Sequence, residues 1–472
     1  MGRKRKKLPI IERLEIIDVG AEGKSIAKHN DVVVFVAMVI PGDIVDVQLT
    51  RKRKNYMEAF PVKFHKYSEG REKPFCEHFG VCGGCKWQNL PYEKQLFYKQ
   101  KQVVDQLKRI GNLSDSELNC LNPIMSSPKT THYRNKLEFT FSNNKWITRE
   151  ELESGIDIID RNALGFHIPK MFDKILDISN CYLQPDPSNG IREWFRKYTE
   201  EKNLAYFDLR NKTGLLRNLI IRTSNTGEVM VIVAFYDNDQ NAREDILGSF
   251  LEAFPVVTSL YFVVNQKAND TILDQELELF KGKEYITEVM ENLQFKLGPK
   301  SFYQTNSDQA YSLYKVARDF AGLSGNEIVY DLYTGTGTIA NFVASKTLKT
   351  IGIEVVPEAI DDAIENSKRN DVQNTQFISG DIKDIFNIEF MEENGKPDVV
   401  IMDPPRAGVH KNVINALNAV LPQKIVYVSC NPATQARDIS LLGNNYLVKK
   451  IQPVDMFPHT HHVENVVLLE KK

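Results

Sequence analysis

Three of the six cysteines lie close together, in the segment PFCEHFGVCGGCKWQ. Cys76, Cys82 and Cys85 are separated by five and two residues, and two adjacent glycines allow the chain to fold back between the last two. Thiolates arranged in this way bind zinc or an iron-sulfur cluster, and either usually takes four protein ligands. The fourth thiolate must come from elsewhere, and Cys120 and Cys181 are both candidates. Three unrelated buried thiols are the alternative interpretation.

A glycine-containing turn lies in the last third of the chain, in EIVYDLYTGTGTIANFVA. The segment is typical of a buried strand, a loop that holds Gly335 and Gly337, and a helix. Glu354, which is 19 residues beyond Gly335, closes the next strand-like segment. In a doubly wound sheet, a carboxylate at this position meets the ribose hydroxyls of a nucleoside cofactor. Because Ala340 stands in place of the third glycine of the dinucleotide fingerprint, a dinucleotide is the weaker choice.

Two later strand-like segments also end in acids. FISGD places Asp381 where it can meet an adenine, and DVVIMDPPR places Asp403 at the carboxyl edge of the sheet. The stretch DLYTGTG resembles the first motif of S-adenosylmethionine-dependent methyltransferases, and the order of the three strand ends agrees with that resemblance. These features predict a methyl-transfer site at this edge.

A cysteine that could act as a nucleophile follows another strand-like segment. KIVYVSCNPAT ends with Cys430 in a turn, at the same edge as Asp403. Carbon 5 of a pyrimidine is a poor nucleophile at neutral pH, so an enzyme first adds a thiolate to carbon 6. A base must then remove the hydrogen from carbon 5, and Glu464, just before the last strand-like segment, is the predicted base. A buried core thiol and an ordinary solvated acid are the alternatives.

The elements that must position these residues fall into several groups. Residues 8–67 contain short β-branched runs between glycine and proline turns, which is typical of a small barrel. Residues 92–110 have the spacing of an amphipathic helix. Residues 130–298 alternate strand-like and helix-like stretches and predict an α+β domain, while the C-terminal third predicts a doubly wound sheet. The chain length of 472 residues agrees with about three domains.

Composition and charge narrow the class of protein. With 42% apolar and 26% charged residues, the chain is typical of a folded globular protein. The longest apolar run, nine residues from Val32 to Ile40, is too short to span a membrane and the start does not read as a secretion signal, so we expect a cytoplasmic protein. Residues 1–75 carry 16 Lys and Arg against 10 Asp and Glu, although the whole chain has a net charge of −2. This basic part, with runs at residues 3–7 and 51–54, predicts contact with a polyanion.

At these residues the chain resembles a known family, the RNA uracil-5-methyltransferases. The likeness runs through nearly the whole sequence: a barrel like the TRAM RNA-binding module, the Cys-x5-Cys-x2-Cys segment with a distant fourth cysteine, FYQTN, DLYTGTG, DPPR, SCNP and the HVE segment. It implies a [4Fe-4S] cluster rather than zinc, with Cys181 as the fourth ligand because SNCYLQP matches the family's distant cysteine. It implies Cys430 as the nucleophile and Glu464 as the base. The residues implied to line the S-adenosylmethionine pocket are Gln304, Tyr333, Gly335, Glu354, Asp381 and Asp403.

The resemblance also implies the architecture, that of a multidomain α/β protein. An OB-like TRAM barrel would occupy residues 1–68. A central α+β domain with the iron-sulfur cluster would occupy residues 69–91 and 128–298, and a Rossmann-like doubly wound methyltransferase domain residues 92–127 and 299–472. Because one chain then holds all the required groups, a monomer is the simplest expectation.

The resemblance leaves some alternatives open. Asp381 and Thr338 stand where other members carry Asn, so their roles are less secure. Because the family's transfer-RNA branch typically lacks the barrel and the cluster, we expect 23S ribosomal RNA as the substrate, with transfer RNA as the alternative. A non-catalytic iron-sulfur RNA-binding protein is the other alternative. Arg406 after Asp-Pro-Pro argues against an amino methyltransferase, and the cysteine spacing argues against radical chemistry.

Overall fold

The computed structural model describes residues 8–155 and 157–472, so the basic run at residues 3–7 lies outside the described residues. Six strands form the N-terminal sheet: β1 (Ile10–Glu15), β2 (Asp18–Val19), β3 (Ser25–His29), β4 (Val32–Val36), β5 (Ile44–Lys52) and β6 (Tyr56–Lys66). Their order across the sheet is β1-β5-β6-β4-β3-β2, with only β4 and β6 parallel among the described pairs. The sheet curls so that β1 also contacts β3.

The side chains of β5 explain how this small domain folds and what it leaves accessible. Val45, Val47 and Leu49 are buried and alternate with half-buried polar or apolar residues, the period of a strand with one face on a core. The basic run Arg51–Lys54 at the end of β5 is exposed. Phe60 on the neighbouring strand β6 is 46% exposed. Cations and an aromatic ring therefore stand together on the open surface of this domain.

A second sheet of seven strands forms the central domain. Its strands are β7 (Lys136–Ser142), β8 (Ala163–His167), β9 (Ile175–Asp177), β10 (Leu216–Thr223), β11 (Val229–Phe235), β12 (Ser259–Val264) and β13 (Glu278–Gly282). The helices are α2 (Arg149–Glu153), α3 (Ser188–Glu201) and α4 (Gln240–Ala253). The strand order is β13-β12-β11-β10-β7-β8-β9. Strands β10 and β11 are buried on both faces, since α3 and α4 cover one face and the C-terminal domain covers the other.

The C-terminal domain begins with a hairpin and continues as a seven-stranded sheet. Its strands are β14 (Ile286–Met290), β15 (Leu293–Leu297), β16 (Ile328–Leu332), β17 (Lys349–Glu354), β18 (Thr375–Ser379), β19 (Val399–Met402), β20 (Lys424–Ser429), β21 (Tyr446–Val454) and β22 (Glu464–Lys471). Its helices are α5 (Ser307–Ala321), α6 (Thr338–Ala344), α7 (Pro357–Arg369), α8 (Ile382–Ile385), α9 (Ile388–Asn394), α10 (Lys411–Val420) and α11 (Pro432–Leu442). Strands β16 to β20 are parallel, and the order is β18-β17-β16-β19-β20-β22-β21. The chain order reverses between β16 and β19, where open α/β sheets bind ligands.

The helix α1 (Tyr92–Arg109) connects these parts. It agrees with the predicted helix over residues 92–110 and packs against α11 and β21 of the C-terminal domain. Val103 and Leu107 on its buried side join the core of that domain. Two short 3-10 turns, Ala21–Gly23 and Glu117–Cys120, complete the described helical segments.

The fold bears out the broad prediction of a β-rich N-terminal domain and a doubly wound C-terminal domain. The division at residues 68, 91, 127 and 298 stays a prediction. None of the helices within residues 8–155 and 157–472 combines the length and the apolar character needed to cross a membrane.

Candidate active site

The loop after β16 has a backbone that few residue types adopt easily. Gly335 and Gly337 have φ of +54° and +75°, and Tyr333 also lies in the left-handed region with φ of +67°. A Cβ at Gly337 would approach Ala363 to 2.8 Å, whereas one at Gly335 would meet no atom within 4 Å. The loop is therefore packed on one side at Gly337 and open at Gly335, where a ligand can approach the backbone.

Glu354 at the end of β17 faces this loop, as predicted. Its carboxylate accepts the Gly335 N–H at 3.2 Å and the Val355 N–H at 2.8 Å. The pKa of the Tyr333 hydroxyl is raised to about 12 by burial, with smaller contributions from Asp438, Asp381 and Glu354. Tyr333, Glu354 and Asp381 thus lie close enough to share an electrostatic environment around the open side of the loop.

Asp381 lies at the outer limit of this group. It caps α8 through a bond from the Lys383 N–H at 3.2 Å, and its carboxylate pairs with the Lys383 ammonium at 2.5 Å. The Lys383 side chain holds the pKa of Asp381 below its usual range. The carboxylate is exposed and ionised, and it can accept a hydrogen bond from a base amino group.

Asp331 is a residue that sequence reasoning missed, although it opens the quoted motif DLYTGTG. It is fully buried inside β16, where one oxygen accepts the Thr334 hydroxyl at 2.5 Å and the Ala340 N–H at 3.0 Å. Its other oxygen is buried without a hydrogen-bond partner. Burial raises the pKa of this carboxyl to about 7. Asp331 therefore ties the glycine loop to the start of α6.

Gln304 enters the site from the segment before α5. Its backbone carbonyl accepts a hydrogen bond from the Asn135 side chain of the central domain at 2.9 Å. Its side chain interacts with the hydroxyl of Tyr314 on α5, whose pKa is raised far above its usual value by burial and by the nearby Asp403. The segment thus links the central domain to Asp403 through the buried Tyr314, another residue that sequence reasoning missed.

Cys430 and Glu464 are brought together by strand register. Ser429 at the end of β20 pairs with Asn465 of β22 in an antiparallel ladder. Cys430 and Glu464 are the next residues beyond this last pair, and Glu464 is close enough to raise the pKa of the Cys430 thiol. Asp403 directly follows β19, the neighbour of β20, so all three side chains share this edge.

The charges around Cys430 are those of a reactive site. Burial, Glu464 and Asp403 raise the pKa of the Cys430 thiol to about 11, whereas Arg406 lowers it. Burial and Asp403 raise the pKa of Glu464 to about 8, and Arg406 again acts in the opposite direction. Burial raises the pKa of Asp403 to about 7. Two carboxyl groups with pKa values of about 7 and about 8 and one guanidinium therefore surround the thiol.

A separate cavity of about 370 Å³ lies in the central domain, next to the cysteines predicted to bind a metal or cluster. Cys76, Cys82, Cys85 and Cys181 all line it. Cys120 does not, because its Sγ lies against the Glu117 carbonyl at 3.1 Å and packs with the C-terminal core. Of the two candidates for a fourth thiolate, the fold brings Cys181 to the cavity.

The chemistry of this cavity fits a group that binds thiolates. Burial raises the pKa of Cys82 to about 11 and that of Cys85 to about 12, and the neighbouring thiols add to both shifts. A bound cation would reverse this effect by stabilising the thiolates. Across residues 8–155 and 157–472, no three His, Cys, Asp or Glu side chains are grouped tightly enough to hold a metal ion. The predicted [4Fe-4S] cluster is thus not established.

Comparison with known proteins assigns both ends of the chain. Residues 11–62 match the model of the TRAM domain, and residues 272–472 match that of the tRNA (Uracil-5-)-methyltransferase family. An RNA methyltransferase of Bacteroides thetaiotaomicron is 56% identical over 96% of this chain and 100% of its own. The chain belongs to the RNA uracil-5-methyltransferase family. A second such relative, from Porphyromonas gingivalis, is 54% identical over 97% of this chain and 99% of its own.

A solved structure supports the fold of this methyltransferase along its full length. The Pyrococcus abyssi tRNA (uracil-54, C5)-methyltransferase in complex with S-adenosyl-L-homocysteine has a TM-score of 0.74 and 28% identity. The match covers 97% of this chain and 100% of that chain. S-adenosyl-L-homocysteine is what S-adenosylmethionine becomes after it gives up its methyl group, so that neighbour holds the product form of the cofactor. The open backbone at Gly335 and the carboxylate of Glu354 fit the ribose side of that cofactor.

The same neighbour weakens one expectation about the RNA. We expected the barrel and the cysteines to separate ribosomal from transfer-RNA enzymes. A tRNA methyltransferase whose chain aligns over 97% of this one covers the barrel region as well. The presence of the barrel is therefore no argument against a transfer-RNA substrate.

Proposed function

We propose that this methyltransferase methylates carbon 5 of a uridine in RNA through a covalent adduct with Cys430. The observation that supports the proposal is the strand register that ends at Ser429 and Asn465, next to Cys430 and Glu464, with Asp403 at the adjoining strand end. Methylation of an exocyclic amine or a ring nitrogen needs no thiol nucleophile, because the nitrogen lone pair attacks directly. A thiol beside a buried carboxyl group is what carbon 5 chemistry requires.

Cys430 opens the reaction. Its thiolate forms a bond from sulfur to carbon 6 of the uracil, and the electrons of the C5=C6 double bond move toward O4 as an enolate. Carbon 5 of the enolate is then the nucleophile. S-adenosylmethionine supplies the electrophilic methyl group. The guanidinium of Arg406 favours the thiolate form of Cys430, since it lowers the pKa of the thiol.

Glu464 closes the reaction. After methyl transfer, carbon 5 carries both a methyl group and a hydrogen. The Glu464 carboxylate removes that hydrogen as a proton, the C5=C6 double bond forms again, and the bond from sulfur to carbon 6 breaks with its electrons returning to sulfur. A pKa of about 8 suits this base, because a catalytic group works best when its pKa lies near the working pH.

The four cysteines of the central cavity would hold a [4Fe-4S] cluster. The family resemblance favours this cluster over a single zinc ion, which four thiolates could also bind. Four thiols around a cavity of about 370 Å³ suit a larger group with thiolate ligands. Methyl transfer moves no electron, so the role proposed for the cluster is structural.

The target uridine must leave its stack to reach Cys430. A base inside folded RNA is shielded from a thiolate, and enzymes of this kind turn the nucleotide out into the pocket. The exposed cations of Arg51–Lys54 and the exposed ring of Phe60 would hold the neighbouring phosphates and bases. The TRAM domain thus supplies affinity, and the pocket reads the base.

We propose 23S ribosomal RNA as the substrate, because the cysteine segment resembles that of the family's ribosomal branch. Transfer RNA is the second candidate, and the full-length likeness to the Pyrococcus abyssi tRNA enzyme favours it. Mapping of 5-methyluridine in both RNA classes, in cells with and without the gene, tests the choice. Loss of the modification from 23S RNA alone is expected, and loss from transfer RNA alone would transfer the assignment to the second candidate.

The reaction itself is tested by digesting RNA after incubation with the enzyme and labelled S-adenosylmethionine. The label should co-migrate with 5-methyluridine and be absent with Cys430→Ala. Label in a methylated amine or ring nitrogen would overturn the proposal. Binding of RNA without any methyl transfer would favour a non-catalytic RNA-binding protein instead.

A further inference from the structure

The loop Asp455–Val463, here called the base loop, directly precedes Glu464 and is held by distant parts of the chain. Its centre is bound to the cysteine segment, because the Lys86 and Trp87 N–H groups both donate to the His459 carbonyl, at 2.7 and 3.1 Å. Lys86 immediately follows Cys85. The ring of His459 also packs edge-on against Phe75 on the other side of the segment, with centroids 5.0 Å apart.

The side-chain amide of Gln95 on α1 bonds to both the cysteine segment and the base loop. The side chain is fully buried. Its nitrogen donates to the Trp87 and Leu90 carbonyls at 3.0 and 2.8 Å, and its oxygen accepts the His459 N–H at 2.9 Å. The cysteine segment and the base loop are thus held at a fixed spacing by a group that belongs to neither.

Lys99, one turn further along α1, fixes the start of the base loop. Its ammonium pairs with the Asp455 carboxylate at 2.6 Å and donates to the Phe457 carbonyl at 3.0 Å, and both charged groups are fully buried. The Tyr133 hydroxyl donates to the Pro458 carbonyl at 3.0 Å. Buried charges and hydrogen-bonded carbonyls of this kind allow little movement, because each lost partner leaves a desolvated group behind.

Cys430 is fixed by other contacts. Its neighbour Asn431 donates to the Arg406 carbonyl at 3.0 Å and caps α11 by accepting the Ala433 N–H at 3.2 Å. Gln435 on α11 donates to the Tyr427 carbonyl at 2.9 Å. Gln435 also donates to the Asn465 carbonyl at 3.0 Å, so α11 supports the sheet side of Glu464 as well. None of these bonds involves the base loop, which is held by its own contacts.

We infer that Gln95 is a positioning residue for proton removal: it sets the base loop, and through it the Glu464 carboxylate, against the substrate. The inference rests on the proposed function. Glu464 is the first residue of β22, so the sheet supports it on one side only and the base loop supplies the other. A shift of about 1 Å in a catalytic group can slow its step as much as a hundredfold. Loss of the Gln95 bonds should therefore slow removal of the carbon 5 proton but spare formation of the adduct.

The test measures the two steps separately in one turnover. RNA labelled with tritium at carbon 5 of uridine is mixed with the full-length protein and S-adenosylmethionine, and both the covalent complex and the released tritium are followed. Gln95→Met keeps the side-chain volume and removes the three hydrogen bonds named above. We expect tritium release to slow about 10- to 100-fold and the covalent complex to accumulate, while the rate of complex formation changes less than about threefold.

Gln102→Met is the matched control, since Gln102 lies on the same helix but lines a cavity against the N-terminal domain. It makes no hydrogen bond to the base loop among the described residues, and it should behave as wild type in both steps. Tyr133→Phe removes a single bond to the base loop and should give a smaller effect of the same kind, about two- to fivefold. If Gln95→Met does not fold, the result with Tyr133→Phe tests the inference instead.

The outcomes separate this inference from the proposed function. If complex formation and tritium release fall together in Gln95→Met and in Tyr133→Phe, Gln95 only supports the fold and the inference is wrong. Unchanged tritium release in both variants also overturns it. If wild type forms no complex and releases no tritium, the proposed function fails first.

Discussion

Two regions of this methyltransferase hold the cysteines with proposed roles, and the neighbours of these thiols differ more than their burial. At the strand edge, Cys430 faces two carboxyl groups and one guanidinium, which act on its pKa in opposite directions. In the central cavity, Cys82 and Cys85 face other thiols. Burial raises the pKa in both places. The two kinds of thiol therefore differ in the charges around them. Carboxyl groups and a guanidinium surround Cys430, whereas the thiols of the cavity are surrounded by one another, which suits the binding of a cation.

The two regions are also assembled differently. The strand edge is made by parallel strands, whose carboxyl ends meet by geometry, so single residues after each strand converge on one crevice. The cavity is made by loops that are about 100 residues apart in the chain, from Cys76–Cys85 to Cys181. The first arrangement follows from local patterns, whereas the second depends on the tertiary fold.

The largest contrast should come from the same substitution made in both regions. Cys430→Ala should abolish methyl transfer, by a factor of at least about 10³, because no other group can attack carbon 6. The variant should keep its thermal stability and its affinity for RNA. Transfer of labelled methyl groups and a binding titration measure the two properties. If the variant still methylates RNA at a tenth of the wild-type rate, Cys430 is not the nucleophile and the two regions do not differ in the way proposed.

Glu464→Gln should separate the two halves of the reaction at the strand edge. The amide cannot accept the carbon 5 proton, so turnover should fall by about 10² to 10⁴ while the methylated adduct forms and persists on ordinary RNA. Denaturing electrophoresis of labelled RNA detects the adduct. Rapid release of free product by this variant would remove Glu464 from its role.

The pH dependence should differ between the two steps. Glu464 is protonated below its pKa of about 8, so proton removal should slow about tenfold for each pH unit below that value and level off above it. Adduct formation depends on the thiolate of Cys430, whose pKa is about 11, and should keep rising beyond pH 8. Single-turnover rates of tritium release and adduct formation, measured from below to above pH 8, compare the two. Profiles that stay parallel above pH 8 would contradict the separate roles.

Cys181→Ala should have the smallest effect on the chemistry and the clearest effect on stability. Loss of a ligand of the proposed cluster should remove its iron and destabilise the central domain by about 3 kcal/mol, which lowers Tm by roughly 6–12 °C. Methyl transfer by the folded variant should fall by about tenfold at most. Iron analysis, a thermal melt and a methylation assay below the melting range test this. Cys120→Ala is the control and should bind as much iron as wild type.

The sequence was most informative where structure is local. Strand-end positions such as Glu354, Asp403 and Cys430, and the helix α1, could be predicted from hydrophobic periodicity and motif order. The direction in which Asp331 points could not, since an acid at a strand end and an acid buried beneath a loop look alike in a motif. Likewise, no local pattern indicates that Gln95 bonds to His459, which is 364 residues away. Such contacts arise only from tertiary packing.

The residues that define the chemistry are not those that would select the RNA. The barrel, the glycine loop and the strand-end acids indicate the reaction that a uridine undergoes. They do not indicate which uridine is the target. Exposed cations such as those of Arg51–Lys54 can bind any phosphate backbone, so they would add affinity without selecting one RNA.

The most direct test of the central claim is to identify the atom that holds the RNA. RNA containing 5-fluorouracil should trap the enzyme after methyl transfer, because fluorine cannot leave as a proton does. Protease digestion and mass spectrometry of the trapped complex should find the methylated fluorouridine on the peptide that contains Cys430. Attachment to another cysteine, or efficient methylation of ordinary uridine with no trapped complex at all, would contradict the account.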